Sequence, residues 1–127
     1  MLTIQEALRY LPDGGRIVII GSNVADCTPF AGMALYAASK SALQGLTRGL
    51  GRELGPRGIT AVLVQPGPTD TDANPANGPP ADRLRDITPL GRYARPDDIA
   101  ATIAHLADDG GRHISGTTIT IDGGLNT

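Results

Sequence analysis

A chain of 127 residues has room for one ordinary domain and no second. Its formal charge of −2, with eleven scattered Lys and Arg, leaves no basic footprint for nucleic acid or an acidic membrane surface. A hydrophobic content of 40% against 19% charged residues excludes general disorder, and no apolar run approaches the ~20 residues that span a bilayer.

The N-terminal MLTIQEALRY lacks a basic segment followed by an apolar one, so no signal peptide is expected. Cys27 is the single cysteine. No internal disulfide can form, which fits a reducing, cytoplasmic setting. Only 3% of residues are aromatic while glycines number 17, so the expected core is small aliphatic side chains in close contact.

In chain order, Leu2 to Leu11 places Ile4, Ala7, Leu8 and Leu11 on one stripe and predicts a helix stopped by Pro12 and Gly14-Gly15. RIVIIG, Arg16 to Gly21, is a continuous β-branched run suited to a strand covered on both faces. Ser22 to Met33 reads as a loop. Ala34 to Leu54 predicts a long helix, ended by GPRG at 55–58, and ITAVLVQ, Ile59 to Gln65, a second buried strand. Pro66 to Pro89 holds six prolines between two ordered elements. A loop of that length predicts a functional lid or a short internal helix. RPDDIAATIAHLAD is a helix with Pro96 at its first position, Asp97 and Asp98 complementing the dipole, and Ile99, Ile103 and Leu106 as its apolar stripe. Thr117 to Asp122 alternates as a strand, and Gly123-Gly124 turn the chain.

Such alternation predicts an α/β fold of the doubly wound, Rossmann type, here with about three parallel strands and flanking helices. Ligands of such sheets bind beyond the carboxyl ends of the strands, which points to the loops starting at Gly21, Pro66 and Gly123.

Tyr36 and Lys40 open the long helix. With Tyr36 at zero on a helical wheel, Lys40 lies near about 40° and Leu43, Leu50 and Leu54 within about 40° of zero. If the leucines pack on the sheet, the pair overhangs the ligand crevice. A phenol titrates near about 10, too high for acid–base work at neutral pH. An ammonium ~4 Å away favours phenolate by ~4 kcal/mol at an effective dielectric of ~20, the size of correction required. The bland alternative is a buried tyrosine beside a snorkelling lysine. On the opposite face Ala38, Ala42, Gly45 and Gly49 cluster. Each glycine costs ~1 kcal/mol in a helix, so close approach of another helix, possibly a symmetry mate's, is expected there.

GS at 21–22, YAASK at 36–40, PGPTDT at 66–71, RPDDIA at 95–100 and IDGG at 121–124 stand in register from about Leu2 onward. Together they resemble the short-chain dehydrogenase/reductase family, in particular members like 3-oxoacyl-carrier-protein reductases. The resemblance implies a ketone–alcohol oxidoreductase using NAD or NADP. Tyr36 would be the general acid or base. Lys40 would assist it and hold the nicotinamide ribose. Ser22 would bind the substrate oxygen, at a spacing to Tyr36 one residue longer than in many members, with Asn23 at the shorter spacing. Pro66, Gly67, Thr69 and Thr71 would contact the nicotinamide end. A lid over about 68–94, its substrate-facing segment Asp72 to about Leu90, would offer Asp72, Asn74 and Asn77.

The resemblance covers the C-terminal half of such a domain. Its glycine-rich pyrophosphate turn, its ribose-reading residue and a catalytic asparagine have no counterpart in this sequence. GRELGPRG spaces Gly51, Gly55 and Gly58 like a dinucleotide loop, but it ends a helix and enters a strand, the reverse of the motif's context. The half-domain reading predicts an open apolar edge at Arg16 to Gly21 and a chain that is marginal, associates, or needs its other half. The alternative function is a catalytically inactive association or scaffold module. A homo-oligomer through the Tyr36–Leu54 helix and a small alcohol or ketone as partner are expected. His105 and His113 share no ligand spacing, and Asp70, Asp72 and Asp122 read as turn carboxylates, so no metal is assigned.

Overall fold

The structure, a computed structural model, describes residues 2–127; Met1 lies outside them. Three parallel strands form one sheet in the order β1-β2-β3, with β1 at Arg16–Ile20, β2 at Thr60–Pro66 and β3 at Thr117–Ile121. Val18 is opposite Val62, and Val64 opposite Ile119. The central strand is the apolar run foreseen from sequence: Ala61, Val62, Leu63 and Val64 are each at most 1% exposed. Both faces of β2 are covered, so its side chains need no alternation of polarity.

The long helix α2 spans Ala34–Leu54, with the bounds the sequence predicts. It packs on one face of the sheet, where Leu50 and Leu54 meet Ile59 and Ala61. Helix α4, Pro96–Ala107, covers the other face through Ile99 and Leu106 against Val62 and Val64. At α4's start the Asp98 carboxylate accepts from the Arg95 backbone N–H at 2.8 Å, satisfying a donor at the helix entry. Gly58, at φ +66°, lets the chain reverse from α2 into β2.

The first helix is shorter than the sequence predicts. The first helix, α1, runs only over Leu2–Ala7, and the residues to Leu11 are turns. Pro12 has no N–H to continue the ladder, and the Arg57 guanidinium donates to the carbonyls of Leu8 at 3.4 Å and Leu11 at 2.6 Å. The apolar stripe survives, since Ile4, Leu8 and Leu11 still pack beside Leu50 and Leu54. The proline-rich segment holds α3, Gly78–Ile87, the short internal helix that was one of its two sequence readings. Within this single chain the Gly45 side of α2 is open. A methyl group built at Gly45 meets nothing within 4 Å, whereas one at Gly51 falls 2.8 Å from the backbone of Gly116, just before β3. The close approach is therefore helix to strand, at a glycine off the predicted face.

Among the described residues β1 pairs with β2 alone and forms an open edge, so its residues are half-buried, with Ile20 47% exposed, and not covered on both faces as the run predicted.

Candidate active site

The carboxyl ends of β1 and β2 and the first turns of α2 enclose a cavity of about 460 Å³. Strand β1 delivers Gly21 and Ser22, with the Gly21 N–H donating to Val64 C=O at 2.7 Å. Ser22 is buried in an extended conformation, and its Oγ accepts from the Val24 N–H at 3.3 Å, capping a short 3-10 turn at Asn23–Ala25. That turn is lashed to α2. Ser41 donates to Ala25 C=O at 2.9 Å, and Gln44 Nε2 donates to Asp26 Oδ1 at 2.6 Å. These bonds hold the Ser22 segment against the helix that carries Tyr36.

Tyr36 stands at the cavity wall and is half exposed. Lys40, one turn on, is not in the wall; its Nζ lies 5.5 Å from the centroid of the Tyr36 ring. Of the predicted loop residues, Pro66, Gly67, Thr69 and Thr71 all line the cavity. Gly67 is packed so tightly that an added methyl would fall 2.6 Å from Asp122 Cα. Of the lid residues, Asn74 lines the cavity, while Asp72 and Asn77 face solvent away from it.

The predicted lid segment is pinned at its ends. Thr69 bridges to Ala94, with Ala94 N–H donating to Pro68 C=O and Asp70 N–H to Ala94 C=O, both at 2.9 Å. Within it, Tyr93 is 7% exposed and its hydroxyl donates to Asn74 Oδ1 at 3.4 Å. Burial pushes the Tyr93 phenol above its ordinary range, with Arg85 pulling part of the way back.

Two features were not singled out in the sequence. Phe30, Met33, Leu84 and Leu125 give the cavity an apolar side. Phe30 is the chain's single phenylalanine, in a loop leaving a ligand-end strand, and that was the available signal. The second is an amide pair. Asn23 Nδ2 donates to Asn126 Oδ1 at 3.2 Å, and Asn126 Nδ2 donates to Asn23 C=O at 2.8 Å. Asn23, the rival to Ser22 by spacing, is thereby tied to the C-terminal turn; both residues line the cavity, Ser22 with a hydroxyl and Asn23 with an amide engaged by Asn126. The partner lies 103 residues away, so local sequence gave no sign of it. Among the described residues no cluster of His, Cys, Asp or Glu is arranged to hold a metal. No described helix is long and apolar enough to cross a membrane.

A family model described as enoyl-(acyl carrier protein) reductase matches residues 1–126. The chain belongs to the short-chain dehydrogenase/reductase family. A cyclic-di-GMP-binding biofilm dispersal mediator protein of Escherichia coli is 56% identical over 118 residues, 93% of this chain and 50% of that protein. The 3-oxoacyl-acyl-carrier-protein reductase FabG of Pseudomonas aeruginosa is 42% identical over 113 residues, 87% of this chain and 45% of that protein. A short-chain dehydrogenase of Burkholderia cenocepacia, solved in complex with NADP, is 54% identical and superposes with a TM-score of 0.94 over 97% of this chain and 50% of its own. The chain thus spans about half the length of the curated relatives it matches. The family is one of NAD(P)-dependent oxidoreductases, and its Rossmann-type fold agrees with the parallel sheet described above.

Proposed function

We propose that this cavity is the catalytic centre of an NAD(P)(H)-dependent oxidoreductase that interconverts a ketone and a secondary alcohol. The observation that carries the reading is convergence. Ser22 from the end of β1, Tyr36 from α2 and the Pro66–Thr71 loop from the end of β2 line one cavity, with the Lys40 ammonium behind the Tyr36 ring. The residues 1–127 then correspond to the C-terminal half of such a domain, with its lid at 68–94, and the pyrophosphate-cradling turn belongs to a segment outside them.

The residues fit the nicotinamide end of the cofactor. The cavity is of a size that holds small ligands, and the main chain at Gly67 leaves no room for a side chain on its Asp122 side. Pro66, Gly67, Thr69 and Thr71 would border the nicotinamide, and Lys40 would reach its ribose. When bound, that ring supplies or accepts the hydride. The chain's own residues manage the substrate oxygen. Ser22 Oγ spends a lone pair on the Val24 N–H, so its own O–H is available to donate to that oxygen. The Tyr36 hydroxyl gives a proton to the oxygen in reduction and takes one in oxidation. The Lys40 ammonium stabilises the negative charge left on the phenol as its proton departs.

Titration of the 127-residue chain with NADPH and NADH, followed by nicotinamide fluorescence, and turnover of a ketone by wild type and Tyr36→Phe, tests this. Binding with turnover lost in Tyr36→Phe supports the reading. Turnover that survives Tyr36→Phe refutes the tyrosine's role, and absence of binding refutes the claim that these residues hold the nicotinamide by themselves.

The name of the 56% identical relative favours a second reading, in which this chain binds cyclic di-GMP with or without turnover. Titration with that dinucleotide, and its competition with NADPH, separates the two. A third reading, an inactive association module, is supported by the open Ala38, Ala42 and Gly45 face of α2 and is taken up by the sedimentation experiment below.

A further inference from the structure

The cavity has a neighbour across Phe30 and Leu84. Both side chains also wall a second hollow of about 400 Å³, completed by Pro79, Pro80 and Arg83 at the start of α3. Phe30 remains 41% exposed on this ridge. Apolar side chains left open around a cavity mouth mark a binding surface more often than an ordinary exterior.

Three observations say what occupies it. The hollow adjoins the candidate active site, since Phe30 and Leu84 wall both, so a ligand reaching from Ser22 and Tyr36 over that ridge would enter it. Its walls are apolar except for one charged group, the Arg83 guanidinium. That guanidinium is uncommitted. Its neighbour Arg85 pairs with Asp82 and donates to Ala76 C=O, whereas Arg83 has no ion pair or side-chain hydrogen bond among the described residues. Pro79 and Pro80 contribute rings and no N–H donors, so the Arg83 side chain carries the polar recognition at that end.

We propose that the substrate carries an apolar arm that leaves the reacting carbon, crosses the Phe30–Leu84 ridge and ends in an anionic group held by Arg83. The proposal rests on the oxidoreductase reading and specifies its substrate class: an acidic ketone or hydroxy acid, with charge and carbonyl at opposite ends of a hydrocarbon spacer. Apolar walls set the arm's character by excluding water, and a guanidinium matches a carboxylate or phosphate by paired N–H donors.

The test is a titration of the full chain, followed by amide NMR shifts, with keto acids of graded length. Each has a methyl ketone at one end and a carboxylate at the other, and each is run beside its methyl ester. The expected result is that, at one chain length, the acid binds roughly fivefold tighter than its ester, as an exposed ion contact allows. Shifts should concentrate at Phe30, Arg83 and Leu84. Arg83→Ala should bring the ratio to about one and leave ester affinity unchanged, while Arg83→Lys keeps part of the preference. Equal binding of acid and ester at every length overturns the proposal. So do shifts that miss Phe30 and Leu84, and so does burial of the hollow by a second copy, seen as concentration-dependent shifts at Phe30, Arg83 and Leu84 without ligand. NADPH is titrated separately with Gly67 and Thr69 as reporters. Keto-acid binding without a nicotinamide signal defeats the oxidoreductase reading and leaves the hollow's role; a nicotinamide signal without acid preference defeats the hollow's role alone.

Discussion

Glycine-to-alanine substitution at two positions of α2 should have opposite signs. Gly45 and Gly51 lie in one helix, both outside the positive-φ region, so alanine gains about 1 kcal/mol of helix propensity at either. At Gly45 nothing lies within 4 Å of the new methyl, and the full gain should appear. At Gly51 the methyl would sit 2.8 Å from Gly116 Cα and N and 3.2 Å from Ser115 Oγ. The obstacle is backbone, which cannot rotate away, so overpacking costs about 1–3 kcal/mol. Moving Gly116 also endangers its N–H donation to Ala61 C=O at 2.7 Å and the Ala61 N–H donation to Ser115 Oγ at 3.1 Å, and losing one of these costs about 1 kcal/mol more. Gly51→Ala should therefore destabilise by about 1–3 kcal/mol net of the propensity gain. The assay is urea unfolding of both variants and wild type at one chain concentration, read as a shift in midpoint at constant slope. If Gly51→Ala stabilises as much as Gly45→Ala, the α2–β3 approach is not as tight as described and the reasoning fails.

Leu106, 1% exposed beneath α4, should lose about 2–5 kcal/mol on Leu106→Ala, measured in the same urea series; a loss under about 1 kcal/mol would mean that α4 collapses onto the space. The Arg95 backbone N–H, with the Arg95 and Arg92 guanidinium groups, holds Asp98 below the usual carboxylate range. A folded-state pKa that is lowered gives stability that is complete above the unfolded value of about 3.9 and fades as pH falls through the folded one. Unfolding midpoints should thus drop below about pH 4, and Asp98→Asn should flatten that acid limb; an unchanged limb refutes the assignment. The open β1 edge and the open Gly45 face of α2 predict concentration-dependent sedimentation of the isolated chain. Gly45→Ala should weaken the association if α2 carries it and leave it unchanged if β1 does, and a stable monomer at all concentrations refutes both.

Local sequence was enough to place α2, both apolar strands and the last helix. Their signals lie within one element: a continuous β-branched run for a strand, a proline and two aspartates at a helix start, a 3.6-residue apolar stripe. The Tyr36–Lys40 pair was legible for the same reason, since four residues on a helix fix a shared face. Boundaries moved where a distant group intervened. Nothing near Leu8 or Leu11 shows that Arg57 will take their carbonyls and end α1 at Ala7. The glycines of α2 were read by wheel position, but which glycine touches a neighbour depends on where β3 enters, and only packing placed Gly116 against Gly51. The same holds at the site. Spacing left Asn23 as a rival to Ser22, and its tie to Asn126, across nearly the whole chain, is a contact that no local pattern shows. Phe30, Leu84 and Arg83 come together because α3 folds back within a segment pinned at Thr69 and Ala94. Periodicity and chemistry along the chain determined the elements and the candidate groups, and contacts between residues far apart in sequence decided which of those groups share a cavity.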